Sequence, residues 1–189
     1  LSNEQTLALD YFQSEEGARG IMGLAFDPTD PNVLWVTDNY PVPLTGRDNG
    51  VPEFSGRVSK VTIDDSDATF SGLAETYITG LPRSNGDHVT NSLVFHANPE
   101  YDAETNPDVP PYLLYVSQGA NTAMGGDDSA WGNRPERLLN AAVLEIDPYR
   151  DAPAGGFDVS TEPLPTDGSN TRYEDDDGDL KNGPIDMGG

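Results

Sequence analysis

The residues best suited to acid–base chemistry lie in the stretch RSNGDHVTNSLVF, residues 83–95, where Asp87 directly precedes His88. A neutral imidazole can accept a proton near neutral pH, and an adjacent carboxylate can orient the ring and stabilise the imidazolium. The pair could therefore act as a general base. It could equally close a turn in front of the apolar run. His96, the other histidine, has no such neighbour, and we expect it to be structural.

A second chemical pattern lies near the end of the chain, in YEDDDGDL, residues 173–180. Asp175, Asp177 and Asp179 alternate around a glycine, as in the first half of a calcium-binding loop. A complete EF-hand would need a glutamate near position 186, where Asp186 stands, and flanking helices that the nearby proline and glycines disfavour. The stretch predicts either a calcium site or an acidic loop exposed to solvent.

The elements that would position these residues are short apolar segments of strand character. They are four to eight residues long, rich in Val, Ile, Thr and Tyr, and bounded by Gly, Pro and Asp, which is typical of β-strands. No ten-residue amphipathic helix is evident, although 134–142 could hold a helical turn. The sequence predicts an all-β protein. The segments are residues 21–26, 33–37, 56–63, 73–79, 92–95, 112–117 and 141–147.

These segments form an approximate internal repeat, in which 23–28 matches 92–99, 34–37 matches 114–117, and 57–64 matches 141–147 with Val61 at the position of Val143. Two units of about four short antiparallel strands predict a β-propeller fragment of about two four-stranded blades. A β-sandwich with a coincidental match is the alternative. In the propeller, Phe26 and Phe95 should occupy equivalent buried positions, as should Val36 and Val116.

The predicted blades span residues 1–148, and residues 149–189 form an acidic tail or a truncated insertion rich in Pro, Gly and Asp. Two blades cannot close a ring, because a propeller needs at least about four blades to bury its faces. We therefore expect the remaining blades, or another chain, to complete the fold. The chain lacks an initial Met and a basic–apolar leader, so a mature or excised segment is expected.

The charge of the chain excludes several classes of function. Thirty-three acidic residues face ten basic ones, a formal net charge of −23, which repels phosphate backbones and argues against nucleic-acid binding. Such acidity is typical of halophilic proteins, in which salt screens self-repulsion. No run approaches the ~20 apolar residues that span a bilayer. The absence of cysteine removes disulfides and thiolate metal sites.

Three motifs in order resemble the soluble pyrroloquinoline quinone (PQQ)-dependent glucose/sorbosone dehydrogenases, a quinoprotein family. They are GIMGLAFDP (20–28), GLP with GDH (80–82 and 86–88) and YVSQG (115–119), within a similarity over about residues 17–148. The resemblance implies a six-bladed propeller that binds PQQ and calcium and oxidises the anomeric hydroxyl of sugars or related alcohols. It also implies an extracellular, cell-surface or periplasmic location.

Carried over residue by residue, the resemblance makes His88 the general base, with Asp87 orienting it. It makes Gln118 an amide that contacts the cofactor. The chain departs from the family at Ala18, where a polar cofactor contact is common, and the family's later arginine, lysine and calcium ligands would lie in further blades.

Two functions follow from these patterns. The chain is expected to be a segment of a quinoprotein-like dehydrogenase that oxidises a sugar hydroxyl with hydride transfer to PQQ. The alternative is a non-catalytic β-propeller module of a cell-surface, filament or adhesion protein, in which the Asp87–His88 pair is inherited but idle.

Overall fold

The computed structural model describes residues 10–15, 17–41, 51–64, 71–86, 88–121, 134 and 136–161. Over these ranges the chain forms β-strands and one 3-10 turn at Asp10–Phe12 but no α-helix, which confirms the all-β class. No helix in the described ranges has the length and apolarity to cross a bilayer. The strands are β1 Gln13–Ser14, β2 Gly17–Ala18, β3 Gly20–Phe26, β4 Val33–Asn39, β5 Gly56–Asp64, β6 Ser71–Leu81, β7 Thr90–Ala97, β8 Tyr112–Gln118, β9 Ala142–Ile146 and β10 Phe157–Asp158.

The first sheet is an antiparallel meander of β3, β4, β5 and β6, with β10 added in parallel beside β6. The turn between β3 and β4 is closed by Asp27, whose side chain accepts hydrogen bonds from the backbone and hydroxyl of Thr29. This is the usual way in which an aspartate stabilises a tight turn. Because β10 lies at residues 157–158, the described part of the predicted tail, residues 149–161, contributes a strand to the first sheet.

The second sheet contains β7, β8 and β9 in that order, again antiparallel. A longer connection, residues 98–111, joins β7 to β8, and its ends are held together by the bond from the Asn98 N–H to the Pro111 carbonyl. A separate hairpin of β1 and β2 precedes the first sheet.

Strand pairing in the two sheets follows the predicted sequence repeat over its first two strands. In each sheet a Phe of the first strand lies opposite a Leu of the second strand. Two residues before that Phe, a Leu of the first strand lies opposite a Val of the second. Because the register is the same, the residues matched by sequence are structurally equivalent. The pairs are Phe26 with Leu34 and Leu24 with Val36 in the first sheet, and Phe95 with Leu114 and Leu93 with Val116 in the second.

For the third strand of each sheet, the match predicted from the sequence is wrong by three residues. The sequence pairs Val61 with Val143, but Val61 lies opposite Leu34 whereas Ile146 lies opposite the equivalent Leu114. Ile146 is buried and Val143 is exposed. Burial of one face sets the register of a strand, and the match based on similar letters does not show which face is buried.

The two sheets pack face to face around Trp35, which is fully buried. The Tyr77 ring meets the Trp35 ring edge-on at 4.8 Å, and the Phe95 ring approaches it at 6.3 Å. Burial raises the pKa of Tyr77 to about 12, and its hydroxyl donates to the carbonyls of Asp147 and Arg150 beyond β9. Aromatic pairs of this geometry add to the stabilisation from burial alone.

The predicted burial of Phe26 is wrong, while Val36 and Val116 are both buried as expected. Phe26 is 60% exposed, but Phe95 packs against the core between the sheets. The two residues differ in burial because the first sheet covers the face of the second sheet that carries Phe95. The equivalent face of the first sheet is open along β3.

Candidate functional site

His88 lies in the connection between β6 and β7, where turn-forming residues follow Pro82. Ser84 organises this loop: its N–H donates to the His88 carbonyl at 2.9 Å, and its Oγ accepts from the backbone N–H groups of Gly86 and His88, both at 3.1 Å. The His88 backbone is therefore held in place at both its N–H and its C=O. Asp87 lies outside the described residues.

Gly119 supports the other side of this loop. Its N–H donates to the Val89 carbonyl at 3.0 Å. A Cβ at position 119 would stand 2.8 Å from the His88 carbonyl carbon and from the Val89 nitrogen. Real Cβ atoms do not approach backbone so closely, so β8 can contact the half-buried His88 segment only with glycine at this position.

Arg83, only 1% exposed, ties the His88 loop to the end of β4. Its guanidinium donates to the carbonyls of Ser84 at 3.0 Å and Gly86 at 2.7 Å, and also to the carbonyl of Tyr40. Burial, with the nearby charges of Arg134 and Arg19, lowers the pKa of Arg83 to about 10. The group stays cationic at neutral pH.

Residues 51–55, Arg134 and residues 136–140 add further polar contacts to this loop. Arg134 donates to the Arg83 carbonyl at 2.8 Å. Glu53 accepts two bonds from Arg137, at 2.6 and 2.7 Å, and a third from the Asn121 amide at 2.9 Å. Bidentate arginine–carboxylate pairs fix orientation as well as contact, so the three segments form one connected polar network.

The two sheets are joined at this end through Asn39 and Thr90, both buried. The Asn39 side chain donates to the Thr90 carbonyl at 2.7 Å and accepts from the Thr90 N–H at 3.2 Å. Thr37 adds a hydroxyl bond to the Asn91 carbonyl. A Cβ on Gly56 would fall 2.2 Å from the Thr90 hydroxyl, so this junction also depends on a glycine.

Gln118, the residue predicted to contact a cofactor, is buried at the same junction. Its Oε1 accepts from the Thr90 hydroxyl at 2.8 Å, and its Nε2 donates to the Pro82 carbonyl. Its amide therefore holds the loop before His88. A contact with a quinone would require it to exchange these internal bonds, and the predicted cofactor contact of Gln118 stays a prediction.

A charged cluster attaches the N-terminal segment to the first sheet. Asp38, fully buried, forms ion pairs with Arg19 and Arg57, the latter at 3.0 Å. Arg57 also lies over the Tyr11 ring at 4.3 Å from its centre, and the Tyr11 hydroxyl bonds Ser59. Residues 10–15 and 17–19 thus cover the centre of the outer face of this sheet.

The described residues contain no cluster of three or more His, Asp or Glu suited to a metal ion. The predicted calcium ligands Asp175, Asp177 and Asp179 lie outside the described residues. Their calcium site stays a prediction.

The sequence did not single out the residues that organise this site, chiefly Asn39, Arg83 and Glu53. One signal was available: Arg83 is one of only ten basic residues in a strongly acidic chain, and it directly follows the Gly-Leu-Pro motif of residues 80–82. Nothing in the sequence marked Asn39, because its partner Thr90 is distant along the chain.

Comparison with protein-family models and with curated proteins finds no match to this chain. The fold and the site define its class: an all-β protein of stacked, mainly antiparallel sheets with a histidine-bearing loop at their junction.

Proposed function

We propose that this chain is a segment of a quinoprotein-like sugar or alcohol dehydrogenase, built as the first blades of a larger β-propeller, with His88 as its general base. The observation that carries the proposal is the fixation of the His88 segment at the junction of the two sheets. Ser84, Gly119 and Gln118 hold the loop from three directions. Catalytic groups require this kind of rigid placement.

The propeller architecture is supported by the equivalence of the two sheets. Phe26 and Phe95 hold the same register position, yet Phe26 is exposed. A further sheet packed against β3 would bury Phe26 as the first sheet buries Phe95. Repeat folds bury a continuous core through such stacking.

The proposed reaction is a two-electron oxidation at the hydroxyl-bearing carbon of a sugar. The hydroxyl proton passes to the His88 imidazole while hydride leaves the same carbon, giving a carbonyl product. Asp87 would orient the ring and stabilise its protonated form. PQQ, when bound, supplies the acceptor for the hydride, and calcium is the metal that the resemblance implies beside it.

In this scheme the described residues bear only on the placement of the base, through the bonds to the His88 backbone. The Gln118 amide and the Arg83 guanidinium are both occupied by bonds inside the protein. Contacts to a quinone would come from further blades or from another chain. We propose an extracellular, cell-surface or periplasmic setting for the intact assembly, with a sugar or related alcohol as substrate.

A second candidate is a non-catalytic β-propeller module of a cell-surface, filament or adhesion protein. The dense bonding around His88 favours it, because Arg83, Asn39 and Gln118 all bind carbonyl or backbone partners and stabilise the junction itself. In this case His88 would contribute to loop stability alone.

Dye reduction distinguishes the two candidates. The protein that contains this chain would be supplied with PQQ, calcium and a panel of aldoses and simple alcohols. The dehydrogenase predicts reduction that needs both PQQ and substrate, and that slows when the reacting carbon carries deuterium. Absence of PQQ-dependent reduction with every substrate would favour the non-catalytic module.

A further inference from the structure

Arg83 buries a cationic side chain at the start of the His88 loop, with only 1% of its surface exposed. Within the ranges that the structure describes, no carboxylate pairs with it, and Asp38 and Glu53 pair with other arginines. A charge removed from water without an opposite charge is costly unless hydrogen bonds compensate for it. The hydrogen bonds of Arg83 therefore identify what its charge stabilises.

Each nitrogen atom of the Arg83 guanidinium donates to a different backbone carbonyl. Nε donates to Ser84 at 3.0 Å, Nη2 donates to Gly86 at 2.7 Å, and Nη1 donates to Tyr40. Tyr40 directly follows β4, whereas Ser84 and Gly86 belong to the His88 loop. Residues 84 and 86 thus direct their carbonyls at one planar cation, and these carbonyl dipoles compensate its charge.

The backbone of Arg83 is also held on both sides. Its N–H donates to the Glu53 carbonyl at 2.9 Å, and its carbonyl accepts from the Arg134 guanidinium at 2.8 Å. The preceding carbonyl, that of Pro82, accepts from the buried Gln118 amide. The guanidinium therefore extends from a fixed point just beyond β6, and the carbonyls that it binds are fixed relative to that point.

Ser84 transmits this constraint to His88. The Ser84 Oγ accepts from the His88 N–H at 3.1 Å, and the Ser84 N–H donates to the His88 carbonyl at 2.9 Å. The same Oγ accepts from the Gly86 N–H, also at 3.1 Å. Because Arg83 binds the carbonyls of both Ser84 and Gly86, it fixes the two peptides between which these bonds are formed.

We propose that Arg83 is a positioning residue for His88, which acts by holding the Ser84 and Gly86 peptides around its guanidinium. The requirement is for the planar fork and not for the charge alone. A lysine would keep the charge, but its single nitrogen cannot reach three carbonyls that lie around the edge of a guanidinium. The expected effect on turnover rests on the function proposed above, whereas the expected effect on the loop does not.

Hydrogen exchange in Arg83→Lys tests the effect on the loop. The amide hydrogens of Gly86 and His88 should exchange with water at least about tenfold faster than in the wild type, because the loop opens more often. The Thr90 amide, which donates to the Asn39 side chain, should keep its rate. Arg150→Lys is the control, since Arg150 is exposed.

Two results of this experiment would overturn the proposal. One is an Arg83→Lys chain in which the Gly86 and His88 amides exchange at wild-type rates. The other is an equal acceleration at Thr90, because Arg83 would then stabilise the whole junction of the sheets and not the placement of His88.

The wild type offers a measurement that does not depend on how the variant folds. If the loop closes around the guanidinium, the Nε–H of Arg83 and the amides of Gly86 and His88 should lose protection from exchange together as urea is added. An Arg83 Nε–H that stays protected with the Thr90 amide, after the loop amides have lost protection, would overturn the proposal.

Turnover in the protein that contains this chain tests the positioning of the base. With an aldose, PQQ and calcium, Arg83→Lys should lower kcat at least about tenfold, because a small displacement of a reacting group is costly. KM for the aldose should change by less than about twofold, since the interaction matters in the transition state. Arg150→Lys should match the wild type in both constants.

The outcomes separate this inference from the proposed function. An active wild type with unchanged kcat in Arg83→Lys would overturn the positioning role and leave the dehydrogenase standing. A wild type without PQQ-dependent turnover would remove the dehydrogenase, and the exchange rates of the Gly86 and His88 amides would then decide the role of Arg83 by themselves.

Discussion

The side chain of Asn39 binds the backbone of Thr90 as a neighbouring β-strand would, donating to its carbonyl at 2.7 Å and accepting from its N–H at 3.2 Å. Both residues are buried, and they lie at the ends of strands in different sheets. This one amide therefore replaces two ladder hydrogen bonds at the point where the first sheet ends and the second begins. It also fixes the strand that follows the His88 loop.

Replacing Asn39 should destabilise the stack of sheets. Asn39→Ala leaves a buried N–H and a buried C=O of Thr90 without partners, and each such group costs about 1–3 kcal/mol. The free energy of unfolding in urea should fall by at least about 2 kcal/mol. Asn39→Asp should destabilise at least as much as Asn39→Ala, because it places a buried carboxylate oxygen against the Thr90 carbonyl. Asn32→Ala, at an exposed position, is the control and should change little.

Gly119 provides a test of the packing behind His88. In Gly119→Ala the new methyl group would stand 2.8 Å from the His88 carbonyl carbon, so the loop must move. Overpacking of this kind costs about 1–3 kcal/mol, and the NMR signals of His88 should shift. Gly20→Ala is the control, since its nearest contact is 3.9 Å away. Unchanged His88 signals in Gly119→Ala would show that β8 does not support the loop.

The strand positions and the paired repeat were predictable from sequence because they depend on local alternation of apolar residues. The first two strands of each unit matched in register, whereas Val143 was misplaced by three positions. Phe26 shows a different limit. Its residue type and spacing match those of Phe95. Its burial, however, depends on whether a neighbouring sheet covers it, and the residues around it in the sequence do not determine that.

The candidate site was predictable only in part for the same reason. His88 stood out because a histidine beside an aspartate is rare in this chain. The network that holds it joins Glu53 to Arg137 and Asn39 to Thr90 across long stretches of sequence. Gln118 was predicted as a cofactor contact, and no pattern in its surroundings indicated that Thr90 and Pro82 would bind its amide.

Asp27 should make stability depend on acidic pH. Burial raises its pKa, but bonds from Thr29, Trp35 and Tyr149 outweigh burial and lower the pKa below its ordinary 3.8. A carboxylate whose pKa is lower in the folded state than in the unfolded state stabilises the fold at pH values above its unfolded-state pKa. That stabilisation is lost as the pH falls through the folded-state pKa. Asp27→Asn should therefore cost about 1–3 kcal/mol at neutral pH and progressively less in acid.

Urea unfolding of Asp27→Asn from neutral to acidic pH, alongside the wild type, measures this difference. Asp30→Asn is the matched control, because Asp30 is an exposed residue of the same turn. It should cost less than Asp27→Asn at neutral pH. A difference between wild type and Asp27→Asn that grows as pH falls would contradict the assignment.

Salt should stabilise the folded chain. With a formal net charge of −23, self-repulsion opposes the compact state and is screened by added ions. Thermal melts should show a midpoint that rises from dilute buffer to molar sodium chloride. A falling midpoint would remove the support for a halophilic protein.

The most direct test of the proposed function compares the two histidines. In the protein that contains this chain, aldose-dependent and PQQ-dependent dye reduction would be measured for wild type, His88→Ala and His96→Ala. His96 is exposed and bonds the neighbouring Ala97 carbonyl, so its variant should keep wild-type turnover. Loss of a general base typically lowers turnover by about 10²-fold or more, and we predict that loss for His88→Ala without a matching loss of stability. Unchanged PQQ-dependent turnover in His88→Ala would contradict the account.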